Sequence, residues 1–170
     1  MRAGKTPRAK RSMKMADTKQ VYQTAIKAFD EMNWHYNRDD ENQIITCNVS
    51  GEDLTIKIFY RVCTDRNIMY VKSAMPFTVN EKKRMELCVA VAIANFTMLN
   101  GSFELDISDG YLGFKILCPF MDMTPTTEVC KYLINLTCRM TDIYNDKFLA
   151  VANGTMTLNQ FKEFADNAVS

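Results

Sequence analysis

"LTIKIFYRVCTDRNIMYVKSAM", residues 54–75, alternates apolar and polar side chains through two runs split by a polar turn. Leu54, Ile56, Ile58, Tyr60 and Val62 share one phase of the first run. A period of two puts alternate side chains on one face of a strand, so the run reads as a half-buried β-strand. "CTDRN" supplies turn formers, and "IMYVKSAM" continues as a second strand that Pro76 ends. So short a connection joins antiparallel neighbours, and the stretch commits the chain to an antiparallel sheet.

Moving outward towards the N-terminus, "SGED" is a turn, and in "QIITCNVS" Ile45, Cys47 and Val49 keep one phase of a further strand. Upstream, the polar run "NRDDENQ" is read as a break. Before it, Val21, Tyr22, Ala25, Ile26, Phe29 and Met32 recur at helical spacing, with Asp17 and Gln20 in capping-box positions. Towards the C-terminus, "TVNEKKRMELCVAVAIANFTMLNG" predicts a helix with Thr78 and Glu81 as its capping box and Asn100-Gly101 as its stop. Met85, Cys88, Val89, Ala92, Ile93, Phe96 and Leu99 form its apolar stripe, expected to lie on the sheet. Burying such a stripe is worth on the order of 9–18 kcal/mol gross.

"NGSFELDISDGYLGF", residues 100–114, reads as a second hairpin. Phe103, Leu105 and Ile107 alternate with Ser102, Glu104 and Asp106, and Leu112, Phe114 and Ile116 resume the pattern after the Asp109-Gly110 turn. Thr124-Pro125 then opens a long helix through Phe148, which Asn153-Gly154 stops, and Leu158, Phe161, Phe164 and Ala165 mark a short terminal helix. The predicted order is α-β-β-β-α-β-β-α-α. It forms one α+β domain over residues 17–170, a single antiparallel five-stranded sheet with helices packed on it.

Composition agrees with a globular chain. Of 170 residues, 47% are hydrophobic and 24% charged, enough for a core without metal or disulfide staples. The net charge of +1 conceals an asymmetry. Arg2, Lys5, Arg8, Lys10, Arg11 and Lys14 stand in an acid-free tail; removing these six from 21 basic residues leaves 15 against 20 acids. An acidic body argues against a broad nucleic-acid footprint. The tail, residues 1–16, is expected to be disordered and has no secretory h-region. It reads as an import presequence, a phosphate-binding arm or an upstream extension, Met13 and Met15 offering later starts beside Met1. The six cysteines contain no CxxC pair, and His35 is the only histidine, so reduced thiols in a cytoplasmic protein are expected rather than a disulfide framework or zinc cage. No run approaches the roughly 20 apolar residues of a membrane span.

Three chemistries are open to such a chain. Catalysis has little to work with: GxSxG, P-loop, GxGxxG and HExxH motifs are missing, and His35 in "NWHYN" reads as a surface residue past a helix end. Glu104, Asp106 and Asp109 could serve a metal-dependent regulator or enzyme, but their phase is the wet side of the Phe103–Leu112 hairpin, with Lys115 a cross-strand partner. No catalytic residue, cofactor or metal ligand is therefore assigned. The basic tail could bind nucleic acid or another anionic surface.

Binding to protein is the stronger class. If Leu54, Ile56 and Ile58 face the helices, the opposite face carries Thr55, Lys57, Phe59 and Arg61. Simple meander pairing adds Tyr70, Tyr111 and Leu117, so Phe59, Tyr70, Tyr111 and Leu117 are the candidate partner-binding residues. Contiguous, they mark a partner site or dimer seam; scattered singly, they are ordinary surface.

The order of elements, with "LNGSFELDISDGYLGFK" and "TDIYNDKFLAVANG", resembles the YbjN-type domains of bacteria over roughly residues 18–155. Those domains are candidate sensory transduction regulators whose fold is similar to that of type III secretion chaperones. The resemblance implies a chaperone-like or regulatory module, a homodimer that holds an extended segment of a partner, without a reaction. The basic tail has no counterpart in that pattern.

Overall fold

The alternating run at the centre of the chain becomes the middle of the sheet. A computed structural model of the protein describes residues 17–168. Helix α1 (Thr18–Glu31) precedes strands β1 (Tyr36–Asp39), β2 (Ile44–Ser50), β3 (Thr55–Cys63) and β4 (Ile68–Ala74). Helix α2 (Arg84–Thr97), strands β5 (Ser102–Leu105) and β6 (Leu112–Pro119), and helices α3 (Thr127–Asn153) and α4 (Leu158–Ala168) follow. Pairing is antiparallel throughout, in the order β1-β2-β3-β4-β6-β5.

Among the described residues the sheet has six strands, not the five expected. The additional one, β1, lies at an edge with only Tyr36 even half-buried, so it carries no apolar alternation to read. Its last three residues, Asn37, Arg38 and Asp39, fall inside the run taken as a polar break. Pairing with β2, Tyr36 opposite Cys47 and Asp39 opposite Ile44, makes it a strand. Tyr22 fixes the turn beyond it, donating to the Asp40 carboxylate at 3.1 Å and to the Ile44 carbonyl at 3.2 Å.

The inward phase of the central hairpin is the expected one. Ile56, Ile58, Tyr60 and Val62 of β3 and Met69 and Val71 of β4 are buried beneath α1 and α3. Six aromatic rings fill the other end of the core. Phe103 of β5 meets Phe114, Tyr144 and Phe148 at centroid distances of 5.2, 4.9 and 4.8 Å, and Phe161 and Phe164 of α4 close over Tyr144.

Helix α2 packs differently from expectation. Its buried residues are Leu87, Ala90 and Ala94, against β5 and α3, whereas Met85 is 71% exposed, Phe96 91% and Leu99 100%. The helix is apolar nearly all round, so size rather than polarity chose the buried side. Alanines let the backbone approach the sheet, and the larger side chains were left outside. The expected Thr78 cap is also displaced: Asn80 caps a 3-10 turn over Glu81–Lys83 that leads into α2. Likewise Thr126, rather than Thr124, caps α3, accepting from the Val129 N–H at 3.3 Å. Helix α2 ends at Thr97, and Asn95 in its last turn accepts from the Phe103 N–H at 2.8 Å and donates to the Phe103 carbonyl at 3.0 Å. That tie occupies the outer backbone of β5, the second edge of the sheet. Among the described residues no helix is long and apolar enough to cross a membrane.

Candidate functional site

The acids of the second hairpin are turn builders. Asp106 accepts from the Ser108 N–H at 2.8 Å and its hydroxyl at 2.6 Å, and the Ser108 bonds hold its carboxyl below the usual range. Asp109 accepts from the Tyr111 N–H at 2.8 Å. Glu104 forms an ion pair with Lys115. Asp106 and Asp109 are exposed and each is engaged with its own turn. Arg84 clamps that turn from α2, donating to the carbonyls of Ile107 and Ser108 at 3.0 and 2.9 Å. Gly110 is required there: its φ is +83°, and a Cβ would meet the Val79 carbonyl at 2.2 Å. Among the described residues no group of three His, Cys, Asp or Glu could hold a metal ion.

His35 is exposed just beyond α1. All six cysteines are free; burial pushes the Cys47 thiol up to about 11 and the Cys138 thiol up to about 12, which makes them poor nucleophiles at neutral pH. The basic tail lies outside the described residues.

What remains is the face of the sheet that no described helix covers. Strand β3 turns Thr55, Lys57, Phe59 and Arg61 to it, because each is followed by a buried residue at period two. Register then decides the neighbours. Phe59 stands opposite Lys72 and Arg61 opposite Tyr70; on the far side of β4, Tyr70 stands opposite Leu117 and Lys72 opposite Lys115. The Phe59 and Tyr70 rings stack at 6.0 Å with 28° between planes, and Lys72 Nζ lies 5.0 Å from the Phe59 centroid. Leu117 is 48% exposed beside them. Three of the four candidate residues thus adjoin.

Tyr111 stands apart, where β6 begins. Its ring folds over Gly113, whose missing side chain makes the space: a Cβ there would lie 2.4 Å from the Tyr111 hydroxyl. Burial, aided by the Glu104 and Asp109 carboxylates, raises the phenol's pKa. Phe59 and Tyr111 line one shallow groove of about 820 Å³, with Lys57, Lys72 and Ala74 between them and His35, Tyr36, Thr46 and Asn48 at its other end. The groove was not readable in the sequence, since its walls come from five separate stretches. Period two alone had placed Lys57 and Arg61 on this face. Their role as its cations was missed.

Comparison with known proteins supports the fold. No family model and no curated protein sequence matches the chain. Solved structures do. YbjN from E. coli, a candidate transcription regulator, aligns with 13% identity and a TM-score of 0.57, covering 78% of this chain and 92% of its own. A chain of the HopA1–SchA chaperone–effector complex aligns with 10% identity and a TM-score of 0.54, covering 77% and 98%. A chain of the ExsC–ExsE complex gives 9% identity and a TM-score of 0.52, covering 78% and 96%. The α+β fold is therefore that of YbjN and the type III secretion chaperones, as the resemblance implied.

Proposed function

We propose that this chain is a non-catalytic, chaperone-like interaction module of the cytoplasm, a homodimer that holds an extended segment of a partner protein. The observation that carries the reading is the sheet covered by helices on one side only, with Phe59, Tyr70, Tyr111 and Leu117 on the other. Apolar side chains left in water beside a groove gain most from a partner that covers them. The fold of chains solved in chaperone–effector and ExsC–ExsE complexes supports the same direction.

The seam of the homodimer is the outer side of α2. Met85, Val89, Ile93 and Phe96 step along it at four- and three-residue intervals, with Leu99 beyond its end, and α4 flanks them with Lys162 and Asp166. That spacing suits packing against a helix of the same face, and a two-fold axis supplies one.

Size-exclusion chromatography with light scattering tests the assembly: twice the chain mass of 19.5 kDa is expected, and a single-chain mass for Phe96→Asp. Fluorescence anisotropy tests capture, using dye-labelled peptides of about eight residues, long enough at ~3.3 Å per residue to cross the sheet. Phe59→Asp or Tyr111→Asp should weaken binding without unfolding the chain. A monomer that binds none of the peptides would falsify the proposal.

A further inference from the structure

The uncovered face carries a charge pattern that the fold itself does not need. Lys72 and Lys115 stand directly opposite each other across β4 and β6, an arrangement of like charges that destabilises an antiparallel pair. Only Lys115 has an acid, Glu104. The side chains of Lys57 and Arg61 make no ion pair or hydrogen bond among the described residues, and Arg61 Nε is shut away from solvent with no acceptor. A buried donor left without an acceptor costs stability. Two local rules are thus broken on one surface, and such breaks gather where a ligand completes the structure.

The cations are also spaced. Along β3 the order is Lys57, Phe59, Arg61, cation-aromatic-cation at intervals of ~6.8 Å. Across to β4, Phe59 faces Lys72 and Arg61 faces Tyr70, so charge and ring alternate in both directions. An extended peptide has the same beat, with alternate side chains pointing the same way ~6.8 Å apart.

Resting on the reading of this face as the partner site, we propose that the segment it holds turns acidic and apolar side chains to the sheet in alternation, one at every second residue. Carboxylates four residues apart on the side turned to the sheet meet Lys57 and Arg61, with Lys72 between them on the next strand, and the aromatic or aliphatic side chains midway between those carboxylates meet Phe59, Tyr70 and Leu117. A single-stranded nucleic acid is the competing polyanion, and the state of the rings disfavours it. Bases need free ring faces, but Phe59 is already stacked on Tyr70 and lies under Lys72.

The test uses the full chain and four labelled probes in anisotropy titrations at low and moderate salt. These are a peptide carrying Glu and then Leu or Phe in turn at every second residue, with Ser between them, its Gln counterpart, its Lys counterpart, and oligo-dT. The Glu peptide should bind on the order of tenfold tighter than the Gln peptide, weaken with salt, and lose that advantage in Arg61→Gln/Lys72→Gln. Equal binding of the Glu and Gln peptides overturns the charge assignment and leaves the capturing face standing. Binding of no peptide overturns both. Tighter binding of oligo-dT, lost in the same double variant, assigns the face to nucleic acid instead.

Discussion

Phe103 sits where three elements meet, and one ring there does the work of several contacts. It is buried against Phe114 of the same sheet and against Tyr144 and Phe148 of α3. Phe103→Ala should cost about 3–5 kcal/mol, read as a lower urea midpoint at unchanged slope. A loss below about 1 kcal/mol would mean that the aromatic cluster closes over the gap. Residue by residue, this core was legible: Phe103, Phe114, Tyr144, Phe148 and Phe161 all follow from period two or from helical spacing. The polar residues of the uncovered face were legible only by phase. Which cation faces which ring depends on register, and register is set by turns whose lengths the sequence does not state.

Helix α2 shows where periodicity fails as a guide. A stripe of large residues and a stripe of alanines coexist on it, and hydrophobicity alone ranks the large ones as core. Close approach favoured Leu87, Ala90 and Ala94 instead. Two substitutions separate the stripes. Ala94→Leu inserts volume where the helix meets its neighbours and should cost about 1–3 kcal/mol. Phe96→Ser should leave the unfolding free energy of the isolated chain within about 0.5 kcal/mol of wild type. Urea titrations at low protein concentration distinguish them, and the opposite ranking would reverse the orientation given to the helix. Strand β1 escaped for a different reason. A four-residue edge strand with one half-buried side chain has no pattern, and only its partner β2 makes it a strand.

At the scale of the whole molecule, titration links the fold to pH from both ends. The Lys131 side chain bonded to Glu31, the Asn42 side chain bonded to Asp39, and the Ser108 side chain bonded to Asp106 hold those three carboxyls below their ordinary values. The unfolded chain therefore binds more protons than the folded one as the medium turns acidic. Their stabilisation is present above the unfolded value of ~4 and is lost as pH falls through the lower folded values. Tyr22 acts at the other end. Burial, with the Asp40 bond, raises its phenol to about 12, so its contribution is complete below an unfolded value of ~10 and lost as pH rises towards the folded one. Urea midpoints should form a plateau between these limits; a steady midpoint through acid would remove the carboxylate argument.

The borders of the sheet carry a further consequence. One flank is four residues of polar backbone, and at the other Asn95 has already claimed both backbone groups of Phe103. Little main chain is left at either border for another strand to zip onto, so anything that docked on this sheet would have to do so through side chains. The same blunting denies neighbouring copies a template for stacking into ribbons, a useful property in a protein that leaves so many apolar groups in water.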